Sequence, residues 1–163
     1  MKALRLLTQT SDHAAPLLAR LTLGLVMFPH GAQKALGWFG GYGYSGTMGF
    51  FTGTMHIPAL FAFLAIAAEF AGSIALVLGL GGRVAALGIA AVMVVAMQSV
   101  HLGNGFFMNW AGNQKGEGYE YHLLALGLAL IVLIYGGGKA SLDTVIQRKL
   151  AVNNSSLKTE KQP

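Results

Sequence analysis

The sequence predicts an all-α membrane protein. It reads as a four-transmembrane-helix bundle with both chain ends on the cytoplasmic side, two glycine- and aromatic-rich external loops, and a short C-terminal amphipathic helix. Three observations carry this. Of 163 residues, 54% are hydrophobic and 10% charged, whereas a soluble domain carries roughly 25% charged residues, so charge is too scarce to cover a water-facing surface. The apolar residues fall in long runs, as membrane spans do. The net charge of +5 comes from Lys and Arg gathered at the chain ends and at run boundaries, which marks topology and predicts no nucleic-acid partner.

The chain reads as one domain over 1–152 followed by a disordered tail over 153–163. After a basic start, Ser11 and Asp12 are the expected caps of the first helix, and Pro16 suits its first turn. The first span covers 17–37, with Arg20 near its start, His30, Gln33 and Lys34 near its end, and Pro29 as an expected kink. No small-residue cleavage site stands apart from this run, so it is read as a span and not as a removable signal. The stretch 37–57, GWFGGYGYSGTMGFFTGTMHI, lacks both a preceding strand and the Lys-Ser/Thr ending of a phosphate loop. It is read as an interfacial cap whose Trp38, Phe39, Tyr42, Tyr44 and Phe50 lie at headgroup depth.

Pro58 opens the second span, 58–80, which holds a single charge, Glu69. A turn of Gly79, Gly81 and Gly82 leads to Arg83, read as a headgroup anchor, and to the third span, 84–102. A second glycine- and aromatic-rich loop, GNGFFMNWAGNQKGEG, precedes the fourth span, 119–135. Gly136, Gly137 and Gly138 end that span, and Ser141 caps the amphipathic helix, 142–152. Small residues recur four apart, as in Ala68 with Gly72 and Ala125 with Ala129, a spacing that lets helices approach closely in lipid and is compatible with a homodimer. With both ends inside, Lys2, Arg5, Arg20, Arg83, Lys139, Arg148, Lys149, Lys158 and Lys161 fall on the cytoplasmic side, and only Lys34 and Lys115 fall outside.

This topology sorts the polar residues by depth. His101 and Glu120 lie at the outer helix ends, with Gln98, His122, Gln33 and Lys34 one turn inside. At about 1.5 Å per residue, His30 lies on the order of 10 Å deep and Glu69 on the order of 16 Å. The inner half is expected to be almost purely apolar. A carboxylate at mid-membrane costs about 2.5–3.5 kcal/mol, so Glu69 should face the bundle and find a partner there. His30 and Lys34 share a helix face, as do Gln98 and His101 at helical spacing. A polar pocket open to the outside follows, with Glu69 at its floor and His30, Lys34, Gln98, His101, Glu120 and His122 above it. The plainer alternatives are that Glu69 pairs with Lys34 or His30 to fix helix register, and that His101 and Glu120 are ordinary interfacial residues.

The segment RLTLGLVMFPHGAQKALGWFG, with His30, Gly31 and Lys34 spaced as HG-x-x-K, resembles the first helix of the DoxX family. The segment AAEFAGSIALVLGLGGRVAALGIAAVM, with Glu69, Gly72, Gly79 and Arg83, extends the resemblance. So do His101 to Phe106, the Glu120 opening of the fourth span, and GGGKASLD at Gly136 to Asp143. The resemblance implies a four-helix protein of the bacterial inner membrane. Some relatives act as membrane subunits of thiosulfate:quinone oxidoreductase, the role of its small DoxD-type subunit, and others are linked to quinone detoxification or oxidative-stress complexes.

The leading functional expectation is a quinone-linked oxidoreductase or its membrane subunit. Glu69, His30 and Lys34 are the catalytic candidates, and Trp38, Gln98, His101, Glu120 and His122 join them around the quinone. With no cysteine and no flavin or nicotinamide motif, iron–sulfur and covalent haem chemistry are excluded. Electrons would then come from a second redox subunit, a soluble partner, or a small anionic reductant such as thiosulfate. The alternative is a non-catalytic scaffold that docks a redox partner. A third reading is a haem held by His30 and His101, or a metal held by His30, Glu69, His101 and Glu120. No internal repeat or pair of broken helices points to a transporter.

Overall fold

A computed structural model describes residues 7–149, and the expectations for the chain start and for the tail beyond Lys149 lie outside the described residues. Among them the structure is all-helical, with no strand. The helices are α1 (Ala14–Leu36), α2 (Gly43–Gly49), α3 (Ala59–Leu78), α4 (Gly82–Ala96), α5 (Glu120–Tyr135) and α6 (142–149). The long helices pack in a closed ring: α1 on α3, α3 on α4, α4 on α5, and α5 back on α1. Leu23 and Met27 of α1 meet Leu76, Ile89, Ala129 and Val132 in the core they share.

Two helical rods, Ala59–Leu78 and Gly82–Asn104, are long and apolar enough to cross a membrane. Only 33% and 22% of their most apolar stretches are buried. Leu60, Phe61, Val84, Leu87 and Val95 instead point outward, the inverse of a soluble core helix and the pattern of a surface made for lipid.

Several elements differ from the expectations. Helix α1 begins after His13, which makes no side-chain cap, and runs unbroken through Pro29. Neither Ser11 nor Asp12 caps it, because the N-cap position falls at His13; Ser11 Oγ is buried without a partner, while the Ser11 backbone N–H donates to the Tyr135 carbonyl at the end of α5. The loop 37–57, read as an interfacial cap, has helical structure of its own. It holds a 3-10 turn (Trp38–Gly40), α2, and a π-helical turn (Phe50–Thr54). Glycine disfavours helix by about 1 kcal/mol per residue, so α2 owes its existence to packing on α1 and α3.

The largest correction concerns the end of the bundle where α3 turns into α4, which was expected to be almost purely apolar and where charge is buried. Arg20 donates to five carbonyls: Nε to Gly137 (2.7 Å), Nη1 to Leu76 (2.9 Å) and Val77 (2.6 Å), and Nη2 to Lys139 (3.3 Å) and Ala140 (2.9 Å). A guanidinium has five N–H donors, and here they meet the open carbonyls at the end of α3 and of the glycine turn. The carboxylate of Asp143 accepts from the Gly81 and Gly82 N–H groups at the start of α4, at 2.9 and 3.0 Å. The Asp143 N–H returns a bond to the Gly79 carbonyl. As expected, Ser141 Oγ accepts from the Thr144 N–H at the start of α6. Arg83 donates to the Gln9 and Ile134 carbonyls.

Candidate functional site

A slot of about 1000 Å³ opens sideways between α3 and α4. Phe61, Ala68 and Gly72 form one wall, and Val84, Gly88 and Val95 form the other. Small residues make the slot by leaving space between two otherwise close helices. Its polar groups are few, and His30, Lys34, Glu69, His101, Glu117, Tyr121 and His122 supply most of them.

At the centre of this group Lys34 Nζ donates to Glu69 Oε2 at 2.6 Å. Glu69 is 3% exposed, and the Lys34 side chain keeps 27% of its surface open. One turn separates His30 from Lys34 on α1, with Gly31 between them. A Cβ on Gly31 would stand 2.5 Å from Phe70 Cα and 2.6 Å from the Glu69 carbonyl carbon, so only glycine lets α1 approach α3 closely enough to bring Lys34 to Glu69. The glycine of the HG-x-x-K pattern thus serves the approach, and its lysine serves the ion pair.

The other side is built by α4 and α5. The His101 and His122 rings lie 4.2 Å apart between centroids, and His101 Nδ1 donates to the Glu117 carbonyl at 2.8 Å. His122 is 5% exposed, and its Nδ1 has no hydrogen-bond partner. Tyr121 stands 6.1 Å from the His30 ring, and its hydroxyl donates to Met27 Sδ at 3.3 Å.

Of the residues singled out from sequence, His30, Lys34, Glu69, His101 and His122 line the slot. Gln98, Trp38 and Glu120 do not. Gln98 is exposed because α4 passes into a π-helical turn over Met97–His101, which changes the angular step per residue. Ser99 and Val100 then line the slot beside His101, and the α-helical pairing of Gln98 with His101 does not arise. Trp38 packs edge-on against Phe28 and Phe39. Glu120 Oε1 accepts from the Met108 N–H at 3.0 Å and Trp110 Nε1 at 3.2 Å, so its carboxylate holds the second loop. Among the described residues no group of three or more His, Asp and Glu could hold a metal ion, so the His30, Glu69, His101 and Glu120 set is not assembled.

Tyr121, Ser99 and Phe51 line the slot although the sequence did not single them out, and Phe50, expected at headgroup depth, lines it too. Tyr121 adjoins a flagged histidine, which was signal enough. Phe50 and Phe51 reach the slot through the first loop's fold, which the sequence does not announce.

A family model described as DoxX matches residues 15–102, more than half of the chain. The matched stretch takes in α1 to α4 and stops at Leu102, short of α5 and of the GGGKASLD segment. No curated protein and no solved structure matches the chain significantly.

Proposed function

The chain belongs to the DoxX family, and from that premise we propose that it is a quinone-linked oxidoreductase of the bacterial inner membrane, or the membrane subunit of one. The observation that supports this most is the slot, whose apolar walls run along two lipid-suited helices and whose polar groups cluster around a buried ion pair. An amphiphile such as a quinone needs that combination: a lateral route from the bilayer, an apolar lining, and a few convergent polar groups. In this reading all four long helices span the membrane, both termini are cytoplasmic, and the loops around α2 and before α5 lie outside.

Reducing a quinone to its hydroquinone takes two electrons and two protons. Lys34 and His30 donate hydrogen bonds to the ring oxygens, and Glu69 passes protons to them. The electrons come from a second redox subunit or from a small anionic reductant drawn to Lys34. The scaffold reading has its own support in the exposed loop aromatics, with Tyr42 and Trp110 each 87% exposed, a surface suited to a docked partner as well as to headgroups.

Gentle purification from native membranes, followed by mass spectrometry of the organic extract, separates the two. Stoichiometric quinone, lost in His30→Ala and Glu69→Gln, is the expected result. An extract without quinone, from a colourless protein, favours the scaffold and directs attention to whatever co-purifies.

A further inference from the structure

The two imidazoles beside the slot are not equivalent hydrogen-bonding groups. The partner of His101 Nδ1 is a backbone carbonyl. A carbonyl oxygen only accepts, so Nδ1 carries the proton and the neutral ring leaves Nε2 as a bare acceptor. In His122 it is Nδ1 that is sealed from solvent without a partner, whereas Nε2 is not enclosed in this way. A buried N–H without an acceptor is the costlier kind of orphan. The single proton of neutral His122 therefore sits on Nε2, which makes that atom a donor. Both residues line the slot, their rings 4.2 Å apart and tilted by 44°. One acceptor and one donor thus belong to two neighbouring rings.

A carbonyl oxygen satisfies only the donor of such a pair. A hydroxyl satisfies both, because its O–H donates to His101 Nε2 while its oxygen accepts from His122 Nε2–H. We propose that the His101–His122 pair is a hydroxyl-recognising subsite, through which the slot holds a hydroquinone in preference to the corresponding quinone. The proposal rests on the quinone reading of the slot and adds which redox form it retains. Two local features prearrange the pair: the π-helical turn Met97–His101, and the Glu117 carbonyl that fixes the His101 tautomer. No electron transfer is needed for the preference, which is a difference between two binding free energies.

The test is anaerobic titration calorimetry of the full-length protein in detergent, with a decyl-substituted benzoquinone and with its hydroquinone. The hydroquinone is expected to bind about tenfold more tightly, equivalent to about 1.4 kcal/mol and of the size of one net hydrogen bond. His101→Phe removes the acceptor and His122→Phe the donor, and each should bring the ratio to within about twofold, while His101→Gln, which keeps an acceptor, retains part of it. Equal wild-type affinities for the two forms, or a preference that survives both phenylalanine variants, overturn the subsite and leave the quinone reading standing. Failure of both forms to bind removes the quinone reading and the subsite together. Equal wild-type affinities overturn the subsite even where no variant folds, and His101→Gln carries the assignment where a phenylalanine variant does not fold.

Discussion

Glu69 and Lys34 form the one buried ion pair between long helices among the described residues, and two roles compete for it. As register glue the pair matters to stability alone, and as part of a site it matters to chemistry. Glu69→Gln leaves an ammonium facing an uncharged amide. Breaking a fully buried pair costs about 3–5 kcal/mol, and the partly open Lys34 side chain brings the expected loss down to about 1–3 kcal/mol, readable as a lower melting temperature in detergent. The protein should still fold and insert, and quinone-dependent turnover should be abolished. Adding Lys34→Met removes the stranded charge and should recover part of the stability without recovering turnover. A double variant that regains activity would show that the carboxylate serves only the fold. The pair was legible in the sequence as a mid-span acid needing a partner. Which of Lys34 and His30 would be that partner was not, because both lie on the same face of one helix.

At the scale of elements, the α1–α3 contact turns on one missing side chain. Gly31→Ala places a methyl where the Phe70 backbone already stands, so the helices must separate. A loss of about 1–3 kcal/mol is expected from the overpacking, together with weaker binding of any ligand that uses Lys34. Thermal melts and a binding isotherm on the same preparation check both effects, and a melt unchanged from wild type would mean that the close approach is not needed. The end of α3 and the start of α4 depend on Arg20 and Asp143 instead. Arg20→Met strips five carbonyls of their donor and should destabilise by about 3 kcal/mol or more. Because Arg20 does not line the slot, the protein that remains folded should bind ligand as wild type does. In the sequence Arg20 reads as one more inner-side positive charge. Two of its five bonds go to the end of α3 and three to the Gly137, Lys139 and Ala140 carbonyls more than a hundred residues later, and no local pattern announces that.

For the whole molecule, the central expectation is that the loop before α5 and the helix α6 lie on opposite faces of the membrane. The chain has no cysteine, so single cysteines introduced at Asn113 and Gln147 can be labelled without background. In intact spheroplasts a membrane-impermeant maleimide should modify the Asn113→Cys protein and should reach the Gln147→Cys protein only after lysis. Labelling of both before lysis would sink the proposed arrangement. The number and order of the long helices follow from the runs of apolar residues, and their ends were read to within a few residues.

The sequence by itself determined the helical class, the order of the four long helices and the membrane character, because these depend on how much apolar surface each segment must bury and on where charge is tolerated. It also identified five of the residues that line the slot, because a polar group in an apolar run stands out at any depth. The tertiary structure decided which of those residues meet. Gly31 sets the distance between two helices, the π-helical turn before Leu102 re-aims His101 and dismisses Gln98, and the second loop takes Glu120 for its own backbone. Each depends on the angle and distance between segments far apart in the chain, and those emerge only when the helices pack.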